Sequence, residues 1–376
     1  MSELTRNDLG QAQLRYVLLA NVSTLAMLGY LWAPSAAQAT ADRPTVWIEL
    51  GGQLERSDAP QSIFSPKFFD LASPNDISAM VGSQRPSRYE IGGEGSITIE
   101  PAGTSWVFTA SVRYGRSNAS RHLHHETPGL PKQYFTLSGS PFVQYTPAAR
   151  EFGDGQTARK DTHFVLDFKA GKDIGIGLLG SHSSSIFSVG MRFAQFTSKS
   201  DVTLHARPVN DANKKYYPGA YRVYTDHRRT YTAVLHTERN SHAIGPSFSW
   251  DASAEIAGTD NATVLTFDWG INAAILFGRH FAKTQHQTKG RYLTGLLAEY
   301  TAASYSYNGP PRTRSRTVTI PNVGGFAGLS LKFPNAKVSL GYRADIYLNA
   351  TDSGIDSHQS SDQKFYGPFA AISIGF

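Results

Sequence analysis

The chain has no cysteine in its 376 residues. Disulfide frameworks, thiolate nucleophiles and cysteine-based zinc sites are therefore excluded, while the 12 histidines leave imidazole sites open. Charge is sparse as well. Asp, Glu, Lys and Arg together make 18% of the chain, with a formal net charge of +6. Basic residues are scattered apart from Arg312–Arg316 (RTRSR), so no basic stripe marks a nucleic-acid binder. That run follows Pro-Pro and reads as a solvated loop. Beyond residue 39 no apolar stretch is long enough for a membrane-spanning helix. Neither G-x-S-x-G nor H-E-x-x-H occurs, so the chain carries no nucleophile elbow and no zincin helix.

What the chain does have is aromatics (12%, with 18 Tyr and 21 Phe) and 34 glycines, a mixture suited to strands and tight turns. Residues 1–39 read as an export signal. Arg6 and Arg15 precede the apolar run Tyr16–Ala33, and SAAQA offers small residues at Ala37 and Ala39. A retained anchor is the other reading of that run. Residues 40–376 then form one domain. With no second apolar span, this domain is either soluble outside the inner membrane or enters a membrane as strands.

Period-2 alternation favours strands. In KVSLGYRADIYLNA, Val338, Leu340, Tyr342, Ala344, Ile346 and Leu348 occupy one face. Ser339, Gly341, Arg343, Asp345, Tyr347 and Asn349 occupy the other. Trp106, Phe108, Ala110, Val112 and Tyr114 likewise oppose Thr109, Ser111 and Arg113. The same holds for Tyr89, Ile91, Ile97 and Ile99 against Glu90, Glu94, Ser96 and Thr98. These strands exceed the globular mode of about 5–6 residues and reach the roughly 9–11 that a tilted membrane strand needs. Apolar faces end in Trp or Tyr, and four-residue turns (PAGT, PNAK) alternate with polar stretches 58–87, 118–161 and 198–227. The expectation is an all-β, transmembrane, antiparallel up-and-down barrel with short periplasmic turns and long outer loops. Strand starts near 45, 88, 105, 162, 185, 228, 242, 263, 291, 321, 338 and 364 give about twelve strands, with ten or fourteen open. The split of 228–257 at Arg239–Ser241 is the weakest boundary.

The charged faces predict a lumen lined by Glu90, Glu94, Arg113, Asp167, Lys169, Arg192, Asp251, Asp268, Arg343 and Asp345. Such charges either create a transverse field in an open pore or pair across a plugged one. Two other features weigh less. GIGLLG (Gly175, Gly177, Gly180) fits a dinucleotide fingerprint, but a strand follows where a helix is required, so it reads as a turn. The cluster His122, His124 and His125 could form a surface metal site or belong to a solvated loop. No residue is assigned as catalytic, cofactor-binding or metal-binding, and no cofactor is expected.

The closing stretch FYGPFAAISIGF places Tyr366, Ile372, Ile374 and Phe376 on the lipid face, with Gly367, Ala371, Ser373 and Gly375 inward. This last strand must pair with the first, near Val46–Leu54, because an open edge in hydrocarbon leaves backbone groups unsatisfied. Export signal, long alternating strands and terminal aromatic together resemble bacterial outer-membrane β-barrel proteins. More narrowly, VLDFKAGKDIG, FSVGMRFAQF and IGPSFSWDASAEI resemble the Legionella-type major outer membrane protein group. The resemblance implies an outer-membrane location, the lipid bilayer and barrel-assembly machinery as partners, and a porin-like passive route for small hydrophilic solutes. In that role 118–161 would fold inward to narrow the mouth. A non-conducting surface barrel for adhesion, recognition or membrane integrity is the alternative, and a barrel enzyme a third. Oligomeric state is not legible.

Overall fold

A computed structural model describes residues 45–58, 89–126, 152–174, 183–207, 230–258, 263–294, 301–355 and 357–376. The export-signal segment and GIGLLG lie outside them. Every regular element among the described residues is a strand. In order these are β1 (Thr45–Asp58), β2 (Glu90–Glu100), β3 (Trp106–Glu126), β4 (Phe152–Asp173), β5 (Ser183–Arg207) and β6 (Thr230–Gly258). There follow β7 (Val264–Thr294), β8 (Thr301–Asn308), β9 (Arg312–Phe333), β10 (Ala336–Asp352) and β11 (Ser360–Gly375).

Sequential neighbours pair antiparallel, and β11 returns to β1, with Trp47 opposite Gly375 and Leu50 opposite Ile372. The sheet closes into an up-and-down barrel of ten strands. β8 stands outside the ring count because it shares an edge of β7 with β9. Thr284 of β7 faces Arg312, while Gln287 faces Asn308. The two strands are one path along β7, interrupted at Gly309-Pro310-Pro311, where prolines cannot donate to the ladder. Gly309 still donates its amide to His286 O at 2.9 Å.

The count of ten corrects the twelve starts read from the sequence in two places. β6 runs unbroken through Arg239–Ser241, and β7 continues through residue 291 to Thr294. Because both errors are overcounts, the even number survives. The other correction concerns loops. Residues 118–126 and 152–161 are paired strand, in register to Glu126 opposite Phe152. β5 likewise continues from 198 to Arg207, and the RTRSR run is strand, not loop. The alternation fades in these stretches because both strand faces become polar.

One end of the barrel carries tight connections. Thr104 N and Oγ1 both donate to Pro101 O, with Gly103 at φ 70°, and Pro334-Asn335 joins β9 to β10. Connections at the other end are mostly long. The outer wall is apolar and exposed. Leu50, Ile91, Phe108, Met191, Ile271, Leu340, Ile372 and Phe376 each have about two-fifths or more of their surface free. Polar side chains turn inward instead: Asp167, Arg192, Asp268, Asn322, Ser330, Asp345 and Ser373 are buried. This inversion of the usual distribution is the main feature of the packing.

Candidate functional site: a closed waist inside the barrel

Inside the bore, side chains from both walls meet in a charged layer. Arg113 (β3) donates to Asp345 (β10) at 2.5 Å, four strands away around the ring. Arg343 (β10) reaches Glu94 (β2). Arg192 (β5) grips Asp167 (β4) with two parallel hydrogen bonds of 2.6 and 2.9 Å. Its remaining nitrogen reaches Asn272 (β7) at 2.7 Å and Asn322 (β9). Such planar, two-pronged geometry is what a guanidinium offers a carboxylate. The Arg343 guanidinium also lies 5.1 Å from the Phe369 ring and 5.8 Å from Phe326.

Above it, toward the long-connection end, lies an aromatic layer. Phe196 (β5) stacks on Phe365 (β11) at 5.9 Å with planes 12° apart, and meets Tyr347 (β10) edge-on at 4.9 Å. His163 (β4) lies 4.2 Å from Phe365 and 3.4 Å from the Glu55 carboxylate. Val165, Ala194, Leu276 and Ile320 complete a small apolar cluster. Gly115 makes the packing possible, since a Cβ there would collide with the His163 ring and the Glu55 carboxylate.

A third layer sits nearer the mouth, where residues 353–355 and 357–359 of the β10–β11 connection fold inward. Arg314 donates to Asp352 at 2.5 Å and to the carbonyls of Gly354 and Ile355. Arg239 donates to Ser353 O and Gly354 O. Asp352 in turn accepts from the amides of Gly354 and Gln359 at 3.0 and 3.1 Å. Burial alone would raise the Asp352 carboxyl. Arg314 and these amides outweigh it and hold the group below its ordinary value of 3.8. Arg239 is brought down to about 10, first by burial and then by repulsion from Arg159. Among the described residues, this short connection is the one that enters the bore, whereas the sequence pointed to 118–161. Residues 127–151 of that stretch lie outside the described ones.

The ten predicted lining residues are distributed through these layers. Glu94, Arg113, Asp167, Arg192, Arg343 and Asp345 meet at the waist. Glu90 stands higher and accepts from the Asn118 amide at 2.9 Å. Asp268 lies toward the tight turns, where it accepts from Ser253, Ser330 and Lys337. Asp251 accepts from Ser249 at 3.1 Å, and Lys169 shares the inward face of β4 with Asp167. The residues that the sequence reading left out are Glu55, His163, Phe196, Asn322 and Phe365. A parity signal was available for three of them, since Phe196 falls in phase with Arg192, His163 with Asp167, and Phe365 with Gly367. His122, His124 and His125 fall on β3 instead of a loop, and His122 approaches Asp154. Among the described residues no cluster of His, Asp and Glu is arranged to hold a metal ion. Tyr366, Ile372, Ile374 and Phe376 occupy the outward face of β11, and Pro368 is exposed beside them.

No protein-family model matches the chain, and no curated protein matches it. Among solved structures, the transport unit of the Escherichia coli autotransporter AIDA-I is similar at 8% identity, covering 94% of this chain and 97% of that one, with a TM-score of 0.24. The P. putida toluene transporter TodX is similar at 8% identity over 89% of this chain and 90% of its own, with a TM-score of 0.18. At such scores the architecture rests on the strand pairing itself: the chain is a closed, ten-stranded antiparallel β-barrel with an apolar exterior and a polar interior.

Proposed function

We propose that the protein is an outer-membrane barrel whose bore is a route for small hydrophilic solutes, held shut at its waist. The single observation behind this reading is the inverted distribution of polarity. On β3 the outward residues Trp106 to Tyr114 form an exposed apolar band, beyond which Arg116 begins the polar wall. Eight residue steps at about 3.4 Å, tilted by about 40°, give roughly 20 Å of height before side chains add to both ends, close to the band of about 25 Å expected. Inside, carboxylates, guanidiniums and hydroxyls line the space on both sides of the waist, and groups of this kind partly replace a solute's lost hydration.

Refolded full-length protein in a planar bilayer tests the proposal. Wild type is expected to show rare, small current steps. Removing the Arg343–Glu94 link with Arg343→Ser and Glu94→Ser should raise their frequency, and Arg343→Glu should shift ion preference toward cations. If folded wild type and waist variants all stay silent, the route reading falls. The alternative, a non-conducting surface barrel, then stands. It draws on the cross-bore contact of Phe196 and Phe365, and on strands β5 to β7 that rise well beyond the apolar band.

A further inference from the structure

The run RTRSR, read from the sequence as a solvated loop, lies on β9 with Arg312, Arg314 and Arg316 all in phase with the inward-facing Ile320 and Asn322. Alternate residues of a strand stand about 6.6–6.8 Å apart, so the three guanidiniums form a ladder descending from the rim toward the waist. Their partners differ. Arg314 is committed to Asp352 and the β10–β11 connection. Arg316, exposed, makes its hydrogen bond to the His358 ring at 3.3 Å, and Arg312, also exposed, is the outermost rung. Among the described residues neither Arg312 nor Arg316 has a carboxylate partner.

We infer that this ladder is a binding track for small, multiply charged anions carrying phosphate or carboxylate groups, with Arg312 and Arg316 as the capturing rungs. Guanidinium forks at exposed, desolvation-cheap positions match the planar or tetrahedral oxygen sets of such anions, and a track of like charge concentrates them at the mouth. The inference assigns a solute class to the route proposed above and rests on that reading for its physiological meaning, but binding itself requires no conduction.

Calorimetric titration of the refolded full chain with pyrophosphate tests it. Saturable binding is expected, weakened roughly tenfold or more by Arg316→Gln with Arg312→Gln, as the loss of charged hydrogen bonds implies. Arg279→Gln, on the outer face of neighbouring β7, should leave the affinity unchanged. No saturable binding, or equal weakening by Arg279→Gln, overturns the ladder as a site. Bilayer recordings separate the two proposals. Binding lost with the ladder in a barrel that never conducts removes the route and keeps the site. Conduction without pyrophosphate binding removes the site and keeps the route.

Discussion

Phe196 on β5 and Phe365 on β11 stand on diametrically opposite strands of the ten-membered ring, yet their rings stack with centroids 5.9 Å apart. The interior is thus narrow enough for two side chains to bridge it. Phe196→Ala should cost about 3–5 kcal/mol of stability, the usual range for deleting a buried phenyl group. Phe365→Ala should cost less when added to it, because the pair's shared term of about 0.5–1.5 kcal/mol is lost only once. Urea unfolding of the refolded single and double variants measures both. Strict additivity would dissolve the idea of an aromatic bridge.

The Arg113–Asp345 pair should behave asymmetrically. Asp345→Ala leaves a buried guanidinium without its nearest carboxylate and should destabilise by about 3–5 kcal/mol. Replacing both partners by apolar residues of similar volume, as in Arg113→Met with Asp345→Leu, should recover most of that loss. The comparison is between unfolding midpoints. If the double variant is as unstable as the single one, the pair is not self-contained and the whole charged layer acts as a unit.

The outer band offers a depth test. Ile271 lies midway along the apolar outward face of β7 and is 54% exposed. Ile271→Arg should cost about 2–4 kcal/mol in a bilayer, while Gln285→Arg, higher on the same outward face, should cost at most about 1. Equal effects in reversible folding into vesicles would argue against hydrocarbon around Ile271.

Acid should release the inward connection. The Asp352 carboxyl has a folded value below the ordinary 3.8, so its contribution is fully present above about pH 4 and is lost as pH falls through the folded value. Hydrogen exchange of the Gly354 and Gln359 amides, both donors to Asp352, should therefore accelerate beyond the intrinsic pH trend only in the acid range. Asp352→Asn should show fast exchange at every pH. Protection that persists unchanged in that variant would mean the loop is held by the bonds of Arg239 and Arg314 to its carbonyls.

The sequence was most legible where a strand has lipid-facing and interior faces. Val338 to Leu348 and Trp106 to Tyr114 alternate cleanly because the two environments differ so much. Past the band both faces become polar, so Arg239-Asn240-Ser241 resembled a turn although it is continuous strand, and Arg312 to Arg316 resembled a loop. The candidate site was legible by phase alone. Alternation set which charges point inward, but not that Arg113 meets a residue 232 positions later, or that Phe196 and Phe365 are at one height. Those meetings depend on strand number and stagger, which accumulate around the whole ring.

The pairing of β1 with β11 has a consequence for the order of assembly. Val46 and Phe376 exchange hydrogen bonds of 3.2 and 2.9 Å, so the first and last strands are each other's final neighbours. A growing sheet of nine strands carries two raw edges, and no local contact can remove them. Closure is therefore a single late event requiring the largest sequence separation in the molecule, which makes it slow and leaves the incomplete sheet exposed to wrong partners. Until β11 arrives, the aromatic layer lacks Phe365, the ring on which Phe196 stacks. The seal and the seam form together, in one step.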